Sequence, residues 1–401
     1  MSLLSLNFIK FQYDINFLKQ KIQLVPKKKI LFYHPFFNDG GVEKTNLLIS
    51  EKLVKKYEVF FISNYFSNKF DSDFKRIGIK KIKLNSKRIL FSFFELSKIF
   101  KKLKPDIIIP IQMPANVLVL AINKFLFNNT LIIVCCERLS KEKFKHTFIK
   151  GKIIIFLANF LYKNAKKIIC NSKDLANEFK NISKKRNVVF IYNPTLKLNY
   201  QKLSKEFTIK EKPFHNKNKP ILFSLGRLDE VKNQMMLLKA FNELKKKIRC
   251  DIVLMGEGKT KKQLIEYAKE NNFNKNLYIF NFKKNPFPYL LKSDLFILTS
   301  NYEGLPNVLI ESMSLNKPII STNSPTGPIE ILLNGKAGFL VKKNDHIDLS
   351  KKIKLFFNNR KIFIEKKKFY KKSLSRFSAE ESLNKYNKII EKLINSVPAR
   401  S

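Results

Sequence analysis

Short apolar runs alternate with longer amphipathic segments along the chain, a rhythm that predicts parallel sheets joined by crossover helices. In the first half, strand-length runs fall at 29–33, 58–63, 106–111, 131–136, 167–171 and 187–191. They are almost continuously apolar, as strands buried on both faces should be. Helical periodicity fills 42–57, 89–103, 115–127 and 148–164. The second half restarts the rhythm, with strands at 220–225, 251–255, 276–280, 295–299, 318–321 and 338–341. Helices are expected at 233–247, 259–271, 286–291, 307–315, 346–357 and 380–394, with a basic run at 361–372.

The fold class this predicts is α/β, built as two doubly wound Rossmann-like domains facing an interdomain cleft. Residues 1–27 form an N-terminal extension and 28–200 the first domain. A charged, strand-poor linker follows at 201–219. Residues 220–372 make the second domain, and 373–401 a C-terminal helix that packs back toward the first.

Composition narrows the class. The 401 residues include 44% hydrophobic and 13% aromatic side chains, too apolar a chain for intrinsic disorder. Cys135, Cys136, Cys170 and Cys250 show no C-x-x-C spacing and read as reduced, buried thiols of a cytoplasmic protein. Residues 1–26 do not read as a signal peptide, because Lys10, Asp14 and Lys19 interrupt any apolar core. No apolar stretch reaches the roughly 20 residues of a spanning helix.

The formal net charge is +46, from 78 Lys+Arg against 32 Asp+Glu. Such an excess raises a nucleic-acid reading and a membrane reading. It divides evenly, +25 over residues 1–200 and +21 over 201–401, while 301–350 nets −1. Abundant Lys, Asn, Ile and Phe with scarce Gly and no Trp is also the signature of an AT-rich genome. The even spread argues against a nucleic-acid partner. An anionic inner-membrane surface remains an expected partner, with contact candidates at 1–29, 80–88 and 141–167.

In a doubly wound fold the chemistry lies in the loops after the strands. After 220–225 comes Gly226-Arg227-Leu228-Asp229-Glu230-Val231-Lys232. Gly226 lets backbone approach a ligand, and Arg227 and Lys232 can clamp a diphosphate beside a helix N-terminus. The bland alternative is ordinary surface charge. After 251–255 comes Gly256-Glu257-Gly258, suited to close backbone contact with a base or ribose; taken alone it is only a Gly-rich turn.

The most informative stretch is Asn301-Tyr302-Glu303-Gly304-Leu305-Pro306-Asn307-Val308-Leu309-Ile310-Glu311. Pro306-Asn307 reads as a helix start, which leaves the N–H groups of Asn307, Val308 and Leu309 free to meet an anion. Glu303 in the loop can accept hydrogen bonds from sugar hydroxyls, and Glu311 in the helix can hold a ribose diol. A further Gly/Pro loop, 322–330, ends on Glu330.

These stretches, in this order, resemble glycosyltransferase family 4, the retaining GT-B enzymes. Arg227 and Lys232 match the family's G-R-x-x-x-x-K element, and Gly256-Glu257-Gly258 its G-x-G loop. Glu303 and Glu311 match its E-x7-E motif. In the first half Gly40-Gly41-Val42-Glu43 matches a G-G-x-E turn, and Cys170-Asn171-Ser172 a strand end where the family usually has Ser. The likeness covers roughly 28–395, and Ser324–Leu332 is similar to members that build lipid-linked oligosaccharides, capsule or lipopolysaccharide from UDP-sugars.

The resemblance implies a nucleotide-sugar donor, held by Gly41, Gly226, Gly256, Glu257, Gly304, Leu305, Asn307, Val308, Leu309 and Glu311. Arg227, Lys232 and Glu303 carry the chemistry, with Arg138 of a Glu137-Arg138 pair standing where many members have His. It implies a glycan or polyprenyl-diphosphate acceptor, no metal, and no cofactor beyond the donor substrate. Two other readings stay open: a basic nucleic-acid-binding protein, or a family member of weakened activity acting as a sugar-binding module.

Overall fold

The computed structural model describes residues 27–38, 40–137, 148–181, 187–195, 199–215, 217–324 and 326–396. Residues 1–26 of the expected N-terminal extension therefore lie outside the described residues.

The first domain carries β1 (Lys29–Tyr33), β2 (Phe36–Phe37), β3 (Glu58–Ser63), β4 (Tyr65–Phe66), β5 (Lys80–Lys83), β6 (Ile107–Pro110), β7 (Val134–Glu137), β8 (Lys167–Cys170) and β9 (Val188–Phe190). A parallel sheet of order β5-β3-β1-β6 meets a second of order β7-β8-β9. Parallel bridges from Ile108 to Ile133 and from Ile111 to Cys136 join them into one twisted surface. The second domain carries β10 (Ile221–Leu225), β11 (Asp251–Met255), β12 (Leu277–Phe280), β13 (Leu295–Leu298), β14 (Ile319–Thr322) and β15 (Phe339–Val341). Its order is β12-β11-β10-β13-β14-β15, all parallel.

In both domains strand order reverses at one place, between β1 and β6 and between β10 and β13. The carboxyl ends on either side of such a reversal diverge and leave a crevice. The apolar runs explain the layers, since each sheet buries hydrophobic side chains on both faces. The four cysteines are buried and unbridged.

β5 was not foreshadowed by the apolar pattern. Its sequence, Lys-Lys-Ile-Lys, is polar because it is the outer strand of the sheet, where lysines discourage pairing with another chain. The basic run at 361–372 folds as the helices Arg360–Lys367 and Tyr370–Leu374. The charged stretch 201–219 has no strand among its described residues, yet it is tied to the second domain. Ile209 and Phe214 are buried in that domain's core, Phe214 edge-on to Tyr289 at 5.3 Å.

The helix Ala379–Asn395 crosses back to the first domain. Ser378 caps it through the amide of Glu381, and Tyr386, Ile390, Leu393 and Ile394 sink into the cluster that holds Ile49 and Leu53. Lys56 pairs with Glu391 at 2.5 Å at the edge of this seam. Among the described residues, no helix is long and apolar enough to cross a membrane.

Ile390 is 1% exposed. Ile390→Ala is expected to cost about 2–4 kcal/mol through lost burial and a residual cavity. Chemical denaturation checks it: the first unfolding midpoint should fall, and an unchanged midpoint would mean the helix does not hold the first domain.

Candidate active site in the interdomain cleft

The two sets of strand ends face each other across one cleft of about 810 Å³, within the usual range for small-ligand sites. The first domain's wall includes His34 after β1, Gly40, Gly41 and Glu43 at the start of the helix Gly41–Leu53, Gln112 after β6, and Asn171 after β8. The second domain's wall holds Gly226, Arg227, Lys232, Gly256, Glu257, Glu303, Gly304, Leu305, Asn307, Val308 and Glu311. Thus all but two of the predicted site residues line one cavity.

The two exceptions have different causes. Arg138 lies outside the described residues. Leu309 corrects the expectation of three free amides. Its N–H donates to the carbonyl of Pro306 at 3.0 Å and its side chain is fully buried. Pro306 is extended (φ −71°, ψ 101°) and turns its carbonyl back into the first turn, so the helix satisfies that donor itself.

The two glycines of the Gly-Glu-Gly loop also have a reason other than ligand approach. A Cβ on Gly256 would lie 2.0 Å from the carbonyl oxygen of Gly226, and one on Gly258 2.1 Å from that of Leu228. Both residues hold positive φ, +150° and +157°. Only glycine lets the β10 and β11 loops lie together, tied by the Leu228 amide to the Glu257 carbonyl at 2.9 Å. This packing sets Arg227 and Glu257 side by side on the wall.

Lys232 and Glu303 form the tightest charged contact there, Nζ to Oε1 at 2.5 Å, with Glu303 buried. The backbone of Lys232 is fixed by its N–H to Asp229 Oδ1 at 2.9 Å and by its carbonyl, which accepts from Thr299 Oγ1 at 2.9 Å. Thr326 Oγ1 donates to the Glu303 carbonyl at 2.6 Å and holds that loop from behind. Arg227 is half exposed and reaches Asp229 at 3.2 Å, so its guanidinium stays at the cleft surface. Glu311 faces the cleft from one turn inside the helix Asn307–Ser314, and its charge helps raise the Tyr200 hydroxyl pKa, after burial as the main cause.

Contacts between the domains complete the site. Asn307 Oδ1 accepts from Asn193 Nδ2 at 2.8 Å and from Thr195 Oγ1 at 3.0 Å. A methyl group on Gly41 would come within 3.3 Å of Asn307 Nδ2. The Glu330 carboxylate accepts from the Lys173 amide at 3.1 Å and from the Tyr192 hydroxyl. At the cleft mouth Lys69 pairs with Glu257 at 3.2 Å and sits 4.7 Å over the Phe282 ring.

His34 and Glu43 went unnamed as site residues on sequence grounds, although Glu43 closes the Gly-Gly-Val-Glu turn. Glu43 is 6% exposed and accepts the Asn38 amide at 3.1 Å, with His34 Nε2 3.8 Å away. Burial pushes its carboxyl pKa up; hydrogen bonds and the charge of Arg227 across the cleft pull in the opposite direction. Glu137, of the Glu137-Arg138 pair, is turned into the first domain, where it accepts from Asn116 Nδ2 at 2.6 Å and from the Tyr162 hydroxyl.

The chain does contain one D-x-D spacing, Asp71-Ser72-Asp73. Asp71 pairs with Lys81 at 2.6 Å, and Asp73 lies 3.4 Å from Lys284. Among the described residues, no group of three or more His, Cys, Asp or Glu side chains could hold a metal ion.

Fold and cleft together define a two-domain GT-B protein. Residues 39–195 match the model of glycosyltransferase family 4, and residues 204–375 that of the glycosyl transferases group 1. An uncharacterised glycosyltransferase of Methanocaldococcus jannaschii is 32% identical over 61% of this chain and 62% of its own length. The N-acetylgalactosamine-N,N'-diacetylbacillosaminyl-diphospho-undecaprenol 4-alpha-N-acetylgalactosaminyltransferase of Campylobacter jejuni is 28% identical over 54% of this chain and 57% of its own. The chain thus spans about three-fifths of the length of these relatives. Anabaena HepE, solved with UDP and glucose, superposes with a TM-score of 0.73 at 17% identity, over 91% of this chain and all of that one. The chain belongs to the family 4 type of glycosyltransferases.

The buried Glu43 gives a signed pH dependence. Its folded-state pKa lies above the ordinary glutamate value of 4.5, so the folded protein keeps a proton that the unfolded chain has released. Stability from this group is fully present below the ordinary value and is lost as pH rises through the folded one. Glu43→Gln should flatten that decline in denaturation curves taken across mildly acidic pH; equal slopes in the two proteins would refute it.

Proposed function

We propose that this chain transfers a hexose or N-acetylhexosamine from a UDP-sugar to a lipid-linked or polysaccharide acceptor, in cell-surface glycan synthesis on the inner face of the cytoplasmic membrane. The observation that carries the reading is the convergence of Arg227, Lys232, Glu303 and Glu311 on one wall of a cleft whose opposite wall is the first domain. Support for the acceptor comes from the Campylobacter relative, whose name specifies a diphospho-undecaprenol-linked sugar. Support for the nucleotide comes from Anabaena HepE, which binds UDP and glucose.

In this reading the bond between the anomeric carbon and the β-phosphate oxygen breaks as negative charge grows on the diphosphate. Arg227 and Lys232 stabilise that charge where it develops, in a cleft of reduced solvent access. Glu303 accepts hydrogen bonds from donor-sugar hydroxyls and releases part of its hold on Lys232 as the phosphate takes up the ammonium. Glu311 accepts from the ribose diol, while the free amides at Asn307 and Val308 meet anionic oxygen. The acceptor hydroxyl attacks from the face the phosphate leaves, forming the new glycosidic bond with retained configuration. Its proton passes to the departing phosphate oxygen, so neither a covalent nucleophile nor a metal is needed.

Arg227→Ala and Glu311→Ala test this. Arg227→Ala should lower transfer from UDP-sugars by about 10²–10³-fold, the scale of a lost charge-stabilising group, and Glu311→Ala by about 10–10²-fold, the scale of lost hydrogen bonds to a charged acceptor. Thermal midpoints should stay close to wild type, because Arg227 is half exposed and Glu311 faces the cleft. Undiminished transfer in either variant, with a panel of nucleotide sugars and a polyprenyl-diphosphate acceptor, would sink the reading.

A further inference from the structure

The outer face of the first domain breaks the usual rule for surface helices. Three neighbouring segments cover one side of its sheet: the turn and helix at Ile89–Phe91 and Ser92–Leu103, the helix Met113–Leu126, and the helix Phe148–Leu161. A helix on such a layer normally turns polar residues outward. Here Phe156 is 72% exposed, and Ile153, Leu157 and Phe160 extend it as one stripe at helical spacing. Leu90 and Phe94, each 74% exposed, lie on the first segment, and the exposed Phe125 and Leu126 at the end of the second. Scattered apolar residues need no explanation, but exposed rings and aliphatics carried by three successive, packed elements on one side of a domain suit an interaction site.

Charge identifies the partner. Across 87–104, 113–127 and 148–166, Glu95 is the single acidic residue, and its carboxylate is engaged by the amides of Asn85 and Ser86. Lysines interleave with the rings: Lys124 Nζ lies 3.7 Å over Phe160 and Lys163 Nζ 4.9 Å over the same ring. Long lysine stems lie along apolar surface while their ammonium groups reach outward. Aromatic and aliphatic side chains ringed by lysine suit the boundary of an anionic bilayer, with the rings among acyl chains and the ammonium groups among headgroups.

The same surface reaches the active cleft. Ile89, next to exposed Leu90, lines the cavity, as does Pro114 at the first turn of the helix that ends in Phe125 and Leu126. We infer that this apolar and basic face seats the protein on an anionic lipid bilayer, with the cleft opening at headgroup level. The inference adds a specific surface to the peripheral placement proposed above and does not depend on the transfer chemistry.

Vesicle co-sedimentation of the full chain tests it, using phosphatidylcholine alone and phosphatidylcholine with one-quarter phosphatidylglycerol. Wild type should bind the anionic vesicles. The Phe156→Glu/Phe160→Glu variant, and separately Leu90→Glu/Phe94→Glu, should bind at least about tenfold more weakly, because both remove insertable apolar area. Lys262→Ala/Lys269→Ala makes the same change in net charge on exposed positions of the second domain and should bind like wild type. Thermal midpoints identify any variant that fails to fold, and two independent pairs keep the test open if one does. Equal losses in the lysine control would reduce the effect to bulk charge and overturn the inference. So would wild-type binding by both apolar variants, or apolar variants that abolish a concentration-dependent dimer in sedimentation velocity while vesicle binding persists. Transfer to a water-soluble acceptor should be unchanged in the apolar variants, which separates this outcome from failure of the transferase reading.

Discussion

Two half-sites on separate domains act together only if something fixes how they face each other, and here Asn307 does much of that work. It is the first residue of the helix that carries Glu311, and the bonds it accepts from Asn193 and Thr195 tie that helix to the segment that crosses between the domains. Two neutral hydrogen bonds of this kind contribute only about 0.5–1.5 kcal/mol each. The C-terminal helix supplies what they lack, burying Tyr386, Ile390, Leu393 and Ile394 against the first domain although it follows the second in sequence. Orientation comes from directional bonds at the cleft, and cohesion from apolar burial away from it.

This division explains why the polar contacts can sit inside a working cleft. Glu330 reaches the amide of Lys173, at the start of a helix in the other domain, where a carboxylate is favoured by unsatisfied donors and the helix dipole. Lys69 bridges to Glu257 at the mouth, half exposed and therefore weakly bound. A cleft bridged by a few part-buried hydrogen bonds and weak surface pairs can open without unfolding either domain. Closure around a ligand then adds to contacts that already exist and creates no new architecture.

Much of this was legible in the sequence because parallel strands buried on both faces leave a nearly continuous apolar signature. β1, β3 and β11 begin and end where that signature does. β5 escaped because an edge strand is shaped by the need to avoid pairing, and three lysines in four residues hide it. The glutamates spaced eight apart predicted a loop and a helix correctly, since Pro306 and Asn307 encode the boundary between them. What spacing could not convey was the partner of each group. Nothing in residues 226–258 reveals that Gly256 and Gly258 are required by a neighbouring carbonyl, or that Leu309 spends its amide on Pro306. Those are facts about which loops meet, and sequence periodicity carries no such information.

Charge changes meaning in the same way once positions are known. An excess of 46 positive charges, spread evenly, says little about any one partner. In the cleft, the cations that matter are held by acids: Lys232 by Glu303, Arg227 by Asp229. On the outer face of the first domain they are held by rings, with almost no acid nearby. In the proposed transfer a lysine paired with a buried carboxylate exchanges that partner for a phosphate, whereas in the proposed bilayer contact a lysine lying over phenylalanine offers its charge to a surface. The same residue type is set in two different environments, and its neighbours make the difference.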